Sequence, residues 1–143
     1  FVHGFTWSHN GVGAAVAHAA LRRLRGSNLV QASAVQGELL LKDLTGALAE
    51  HPAVGDVRGI GSMIGIELVA NRDTKAPFAR AEQRTEQVLA AARERGLLLY
   101  SSTGHVDGVD GDLLMLGPPF TISDEERGLL AERTVAAIAS VHG

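Results

Sequence analysis

Small and apolar residues recur at helical spacing from Val12 to Arg25, where Val12, Ala15, Val16, Ala19, Ala20 and Leu24 gather on one face. Ser8 or Asn10 is placed to cap this helix, and Gly26-Ser27-Asn28 supplies a C-terminal glycine followed by the next cap. The density of alanine predicts a neighbour packed closely against it. A second helix is predicted from Leu29 to Glu50, with Val30, Ala34, Gly37, Leu41, Leu44 and Leu48 on one face and His51-Pro52 as its stop. The apolar period then shortens to two. Val54–Arg58 and Ser62–Val69 read as strands joined through Gly59-Ile60-Gly61, with Ile64, Ile66 and Leu68 alternating onto one face, and a hairpin is the simplest arrangement.

Beyond the polar stretch Asn71–Phe78, a third helix is predicted over Ala79–Arg95, with Val88, Ala91 and Ala92 inward and Gly96 ending it. Leu97–Tyr100 reads as a short strand, Ser101–Gly111 as a glycine- and aspartate-rich loop, and Asp112–Leu116 as a further strand closed by Pro118-Pro119. Ser123 and Glu126 form a capping box, from which a last helix runs to about Val141 with Leu130, Val135, Ile138 and Val141 available to pack. Residues 1–10 show no helical period and read as an extended segment or loop. The order of elements predicts an α+β fold in which helices cover one face of a small, mostly antiparallel sheet.

Composition adds bounds. With 143 residues and 45% hydrophobic content the chain holds one core, and a domain of this size buries roughly 68–70% of its unfolded surface. The formal net charge is −3, and basic residues are scattered apart from Arg22-Arg23-Leu24-Arg25, the solvated end of a helix. Neither nucleic acid nor a membrane is therefore expected as a partner. Cysteine is absent, which rules out disulfides and thiolate metal sites and suits a cytoplasmic location. There is no apolar run of about 18 residues and no leader-like pattern at the N-terminus. The opening Phe1-Val2-His3-Gly4 has neither a methionine nor a capping residue, and reads as a boundary inside a longer protein.

Local motifs are sparse. Gly59-Ile60-Gly61-Ser62-Met63-Ile64-Gly65 has dinucleotide-like glycine spacing, but a strand-like run follows where a helix is required, so the glycines are read as serving a tight turn and close backbone packing. Asp107, Asp110 and Asp112 could approach calcium, yet no later glutamate completes the set, and Asp-Gly turn chemistry is the better account. The histidines His3, His9, His18, His51, His105 and His142 form no i, i+4 zinc pair, and there is no GxSxG nucleophile elbow. No metal site is expected.

Four segments occur together and in order: His3-Gly4-Phe5-Thr6-Trp7-Ser8-His9-Asn10; Val54 to Val69 with its Arg58-Gly59-Ile60-Gly61 and Gly65-Ile66-Glu67; Arg95-Gly96-Leu97-Leu98; and Gly111-Asp112 to Pro119-Phe120 followed by Ser123–Glu126. This set resembles the C-terminal region of class III pyridoxal-phosphate-dependent aminotransferases of fold type I, and the resemblance covers essentially the whole chain. It implies that residues 1–26 are a segment and interface helix joining a large cofactor domain, and that 27–143 are the small domain. It implies a homodimer in which Phe5 and Thr6 bind the cofactor phosphate of the partner subunit, the hydroxyl and a backbone N–H supplying two donors. Trp7 stands where the family usually has tyrosine, and Trp7 and Tyr100 are the implied substrate contacts.

The family's cofactor-bearing lysine would precede Phe1. Lys42 and Lys75 match no family lysine, so no catalytic residue is assigned and the chain alone is expected to be inactive. Some relatives grip a substrate carboxylate with an arginine at the position of Met115, others with one at the position of Tyr100; neither residue here can form such a clamp. Contact through Tyr100 or through Ser102-Thr103-Gly104-His105 is expected instead, while Arg58 matches a family arginine whose role is substrate contact or a buried or interface ion pair. The implied reaction moves an amino group between an amine or amino acid and a 2-oxo acid. Decarboxylase, racemase or aminomutase chemistry, or a non-catalytic interaction module, are the alternatives. The alanine-rich first helix and the apolar hairpin further predict that the isolated chain is marginal or associates.

Overall fold

The computed structural model describes residues 4–142, so His3 at the head of the first segment lies outside the described residues. The elements are α1 (Gly11–Gly26), α2 (Leu29–Ala47), β1 (Val54–Ile60), β2 (Met63–Leu68), α3 (Arg84–Glu94), β3 (Tyr100–Thr103), β4 (Asp112–Leu116) and α4 (Asp124–His142). The strands form one sheet in the order β1-β2-β4-β3, with every neighbouring pair antiparallel. The α+β expectation holds, and β1 and β2 make the expected hairpin. The sheet's inner face carries Ile64, Ile66, Leu68, Leu114 and Leu116, all at most 2% exposed. α2 and α3 lie against this face and α4 packs against both helices, adding Ala137 and Ile138 to the core.

The glycines at the hairpin tip do serve a turn. Gly61 takes φ +53, and its carbonyl lies where a side chain on Gly37 would be: a Cβ there would stand 1.8 Å from the Gly61 oxygen. α2 therefore touches the hairpin backbone to backbone. Beside this contact the Ser33 and Ser62 hydroxyls meet at 2.8 Å, both residues buried. The face expected for α2 holds at Gly37, Leu44 and Leu48, which are buried, and at Leu41, which packs against the core; it shifts at the N-terminal end, where these two contacts bury Ser33 in place of Val30 and Ala34. Ser33, Gly37, Leu40 and Leu44 are buried along the helix, whereas Val30 is 70% exposed and Ala34 is also exposed.

Other boundaries also move. α2 ends at Ala47, and Asn28 does not cap it through its side chain but takes the left-handed turn position (φ +50) that Gly26 was expected to fill. The predicted helix over Ala79–Arg95 is interrupted. Residues Arg80–Glu82 form a 3-10 turn, Gln83 adopts φ +53, and α3 starts only at Arg84. The strand expected at Leu97–Tyr100 begins at Tyr100, because the Leu97 N–H is used to close the end of α3 on Ala92 O at 2.9 Å. Leu97 and Leu99 instead pack against the core. The capping box is present, with Ser123 N–H donating to Glu126 Oε2 at 2.9 Å and Glu126 N–H to Ser123 Oγ at 3.2 Å. Strand β1 carries a bulge between Val54 and Asp56.

α1 stands apart. Asn10 is its cap, accepting from Gly13 N–H at 2.8 Å, but none of its residues is buried. The close neighbour that its alanine face calls for is not found among the described residues.

Candidate functional site

Two regions carry the expected contacts. In the first, Ser8 N–H donates to Phe5 O at 2.9 Å while Ser8 Oγ accepts from Phe5 N–H at 3.0 Å, closing a turn with Thr6 and Trp7 at its corner. Thr6 makes no hydrogen bond among the described residues, so its hydroxyl and N–H are both available to a ligand. His9, which follows the turn, sits at φ +62, a conformation that costs a non-glycine residue energy. Trp7, 80% exposed, lines a cleft with His9, Asn10, Val12 and Ala17.

The second region is the outer face of the sheet. Strand pairing sets Arg58 opposite Gly65, Gly65 opposite Met115 and Met115 opposite Tyr100, so these four form one row on one face. Tyr100 shares a cleft of about 370 Å³ with Met63, Leu98 and Met115. At the other end of the row Arg58 is held by Asp56 at 2.7 Å and Glu67 at 2.9 Å. These bonds, first to Asp56 and then to Glu67, push its pKa up, stabilising the guanidinium. The ion pair anticipated for Arg58 is present, but at the surface, with its side chain 56% exposed. Trp7 and Tyr100 line clefts with no residue in common, so the chain does not by itself bring its two expected substrate contacts together.

The family model for class III aminotransferases matches residues 2–138. The chain belongs to the class III aminotransferase family. It is 36% identical to the uncharacterised aminotransferase YodT of Bacillus subtilis, over 94% of this chain and 31% of YodT. Among solved structures it superimposes on a Bacillus anthracis aminotransferase with a TM-score of 0.88 at 34% identity, over 99% of this chain and 31% of the other. An (S)-enantioselective omega-transaminase from Thermomicrobium roseum matches with a TM-score of 0.87 at 36% identity, over 100% of this chain and 30% of the other. The chain thus spans about a third of the length of the relatives it matches.

In this class III chain neither lysine is placed with the expected contacts. Lys42 is exposed on α2, and the Lys75 ammonium donates to Gly55 O at the β1 bulge. A group of polar residues not anticipated as a site joins the start of α3 to the β3–β4 loop. Arg80 N–H donates to Asp110 Oδ1 at 2.8 Å, and the Thr85 hydroxyl shares its one proton between Glu86 Oε2 at 3.0 Å and Asp112 Oδ1 at 3.1 Å, with Thr85 and Asp112 buried. The Arg80 guanidinium pairs with Glu86 and is the main reason that the Glu86 carboxyl is held down at about 2. Burial moves Asp112 the opposite way, raising its pKa against the Thr85 hydrogen bond. Asp110 and Asp112 stood out in the sequence only as part of a carboxylate-rich turn, and their partners at the start of α3 did not.

Proposed function

We propose that the chain is the C-terminal part of a pyridoxal-phosphate-dependent transaminase that moves an amino group between an amine or amino acid and a 2-oxo acid. The observation that carries this reading is the Phe5–Ser8 turn, which leaves the Thr6 hydroxyl and N–H uncommitted in a chain of class III family membership. That donor set fits a phosphate, which needs convergent N–H and O–H groups. Pyridoxal phosphate, when bound, takes up and returns the amino group and serves as the electron sink. Thr6 holds the phosphate and Phe5 sets the turn that presents it.

The separation of the Trp7 and Tyr100 clefts supports assigning the Phe5–Trp7 segment to the active site of a partner subunit in a homodimer. Residues 1–26 then join the large cofactor domain, whose surface covers the open face of α1, and 27–143 form the small domain. Tyr100 and Trp7 contact the substrate. With Arg58 engaged by two carboxylates and Met115 beside Tyr100, this chain offers no free guanidinium in that row, which favours a substrate selected without a carboxylate clamp. Lys75 is committed to a backbone carbonyl and Lys42 is remote on α2, so the chain by itself does not transaminate. The cysteine-free composition suits the cytoplasm, and no helix among the described residues is long and apolar enough to cross a membrane.

Thr6→Ala in the full-length enzyme tests the central assignment. Cofactor retention on dialysis, read from visible absorbance, falls while the unfolding transition of the protein is preserved. Retention equal to that of the parent enzyme sinks the phosphate role.

A further inference from the structure

The segment from Gly104 to Gly111 is exposed over residues 105–109 yet tightly determined. Gly104 N–H donates to Gly111 O at 2.9 Å, Val106 N–H to Asp110 O at 3.0 Å and Gly108 N–H to Gly104 O at 3.1 Å. Asp107 Oδ1 accepts from the N–H groups of Val109 and Asp110 at 2.9 and 2.8 Å. Gly111, at φ +107, has no room for a side chain, since a Cβ would lie 2.9 Å from Val106 N. These bonds all lie within the loop and would let it swing as a unit on its two strands. β3 is an edge strand that pairs only with β4 and is backed on its inner side by α3, so no second strand holds the loop in place.

What ties the loop to the rest of the domain is the pair of long-range bonds to the start of α3. Asp110 Oδ1 takes the Arg80 N–H, and at the base of the loop the buried Asp112 takes the buried Thr85 hydroxyl. Arg80 is in turn held by Glu86. The register places Thr103 opposite Asp112 on the helix-covered face, so Tyr100 opposite Met115 and Ser102 opposite Leu113 stand on the outer face. The bonds thus hold the loop and the first residue of β4, the strand on which β3 is laddered, from one side and leave the other side free for contact.

We propose that Asp110 is a positioning residue for substrate selection: its bond to the Arg80 N–H, anchored below by Asp112 and Thr85, fixes the β3–β4 loop and with it the outer-face residues Tyr100 and Ser102. This rests on the reading of Tyr100 as a substrate contact. Asp110 touches no reacting atom and acts through the loop it holds. A displacement of about 1 Å in a substrate contact can cost up to 10²-fold, so a partial release is measurable.

The test uses the full-length enzyme with its cofactor bound. Asp110→Ala raises KM for the amino donor about tenfold with kcat changed less than about twofold, the pattern of lost uniform binding. Hydrogen exchange at the Arg80 N–H, which loses its acceptor, rises in the same variant, and cofactor absorbance per subunit is unchanged. Asp110→Asn, whose amide oxygen still accepts from Arg80, restores both KM and exchange. Asp110→Ser, too short to reach, repeats the alanine result and serves in its place if the alanine variant does not fold. An unchanged KM in Asp110→Ala alongside a raised KM in Tyr100→Ala overturns the positioning role while leaving Tyr100 a contact. An unchanged KM in both variants removes the Tyr100 reading and this inference with it. Equal KM rises in the alanine and asparagine variants assign the effect to charge, and overturn the Arg80 bond as its cause.

Discussion

Residues 4–26 and residues 29–142 obey the same sequence grammar and end in opposite states. α1 and α2 both present apolar residues at helical spacing, yet α1 buries none of its residues while α2 buries Ser33, Gly37, Leu40 and Leu44. Phe5, Trp7, Val12 and Val16 are each at least 64% exposed, whereas the inner row of the sheet is closed to water. Apolar periodicity states that a helix has a partner. It does not state that the partner belongs to the same stretch of chain.

The sharpest way to break this comparison is to remove one apolar side chain from each region. Leu114→Ala, in the fully buried inner row, lowers unfolding free energy by about 2–5 kcal/mol, while Val16→Ala on α1 stays within about 0.5 kcal/mol. Denaturant unfolding of the 143-residue chain reads both; similar losses at the two sites would show that α1 is packed after all. Glycine substitution gives the next effect, with a reversal of sign. Gly37→Ala drives a Cβ into the Gly61 carbonyl and costs about 1–3 kcal/mol, whereas Gly26→Ala meets nothing within 4 Å and gains about 0.5–1 kcal/mol of helix stability. A destabilised Gly26→Ala would mean that a surface lies against the end of α1.

The smallest effect is electrostatic and confined to one region. Glu86, lowered from 4.5 to about 2 chiefly by Arg80, favours the folded state in its charged form. Its contribution is fully present above about pH 4.5 and is lost as pH falls toward 2; because Glu86 is 44% exposed, solvent screening keeps it small. Asp112 runs the other way, its raised pKa making the charged form a cost that grows as pH rises through it. Glu86→Gln therefore flattens the acid limb of the stability profile. Residues 4–26 contain no carboxylate side chain, so the loss of hydrogen-exchange protection as pH falls from 4.5 toward 2 begins around Arg80–Asp112 and not in α1. Early acid loss in α1 would contradict that division.

The element order was legible because alternation at Ile64, Ile66 and Leu68 and the capping box at Ser123 and Glu126 are local signals. The errors have tertiary causes. Ser33 is buried because its hydroxyl meets Ser62, 29 residues away, and no reading of hydrophobicity along α2 contains that partner. Gln83 is a good helix former, yet it turns left-handed where the Glu82 carboxylate folds back on Ala79 N–H. β3 uses Ser101, Ser102 and Thr103 in place of Leu97–Leu99, because an edge strand open on one face can be polar while the leucines serve the end of α3. The Phe5–Thr6 and Tyr100 assignments came from resemblance alone, since an isolated threonine or tyrosine carries no motif. The Arg80–Asp110 bond joins residues 30 apart and was invisible in either segment.

The bulge in β1 and the Lys75 contact with Gly55 O have a colloidal consequence. β1 is one of the two rims of the sheet, and a rim with a kinked backbone and a carbonyl already bound to an ammonium is a poor template for another strand. The opposite rim, β3, is only four residues long. Self-association of the 143-residue chain is therefore expected to run through its bare apolar faces, as reversible clusters that dilution or detergent disperses, and not as cross-β fibrils.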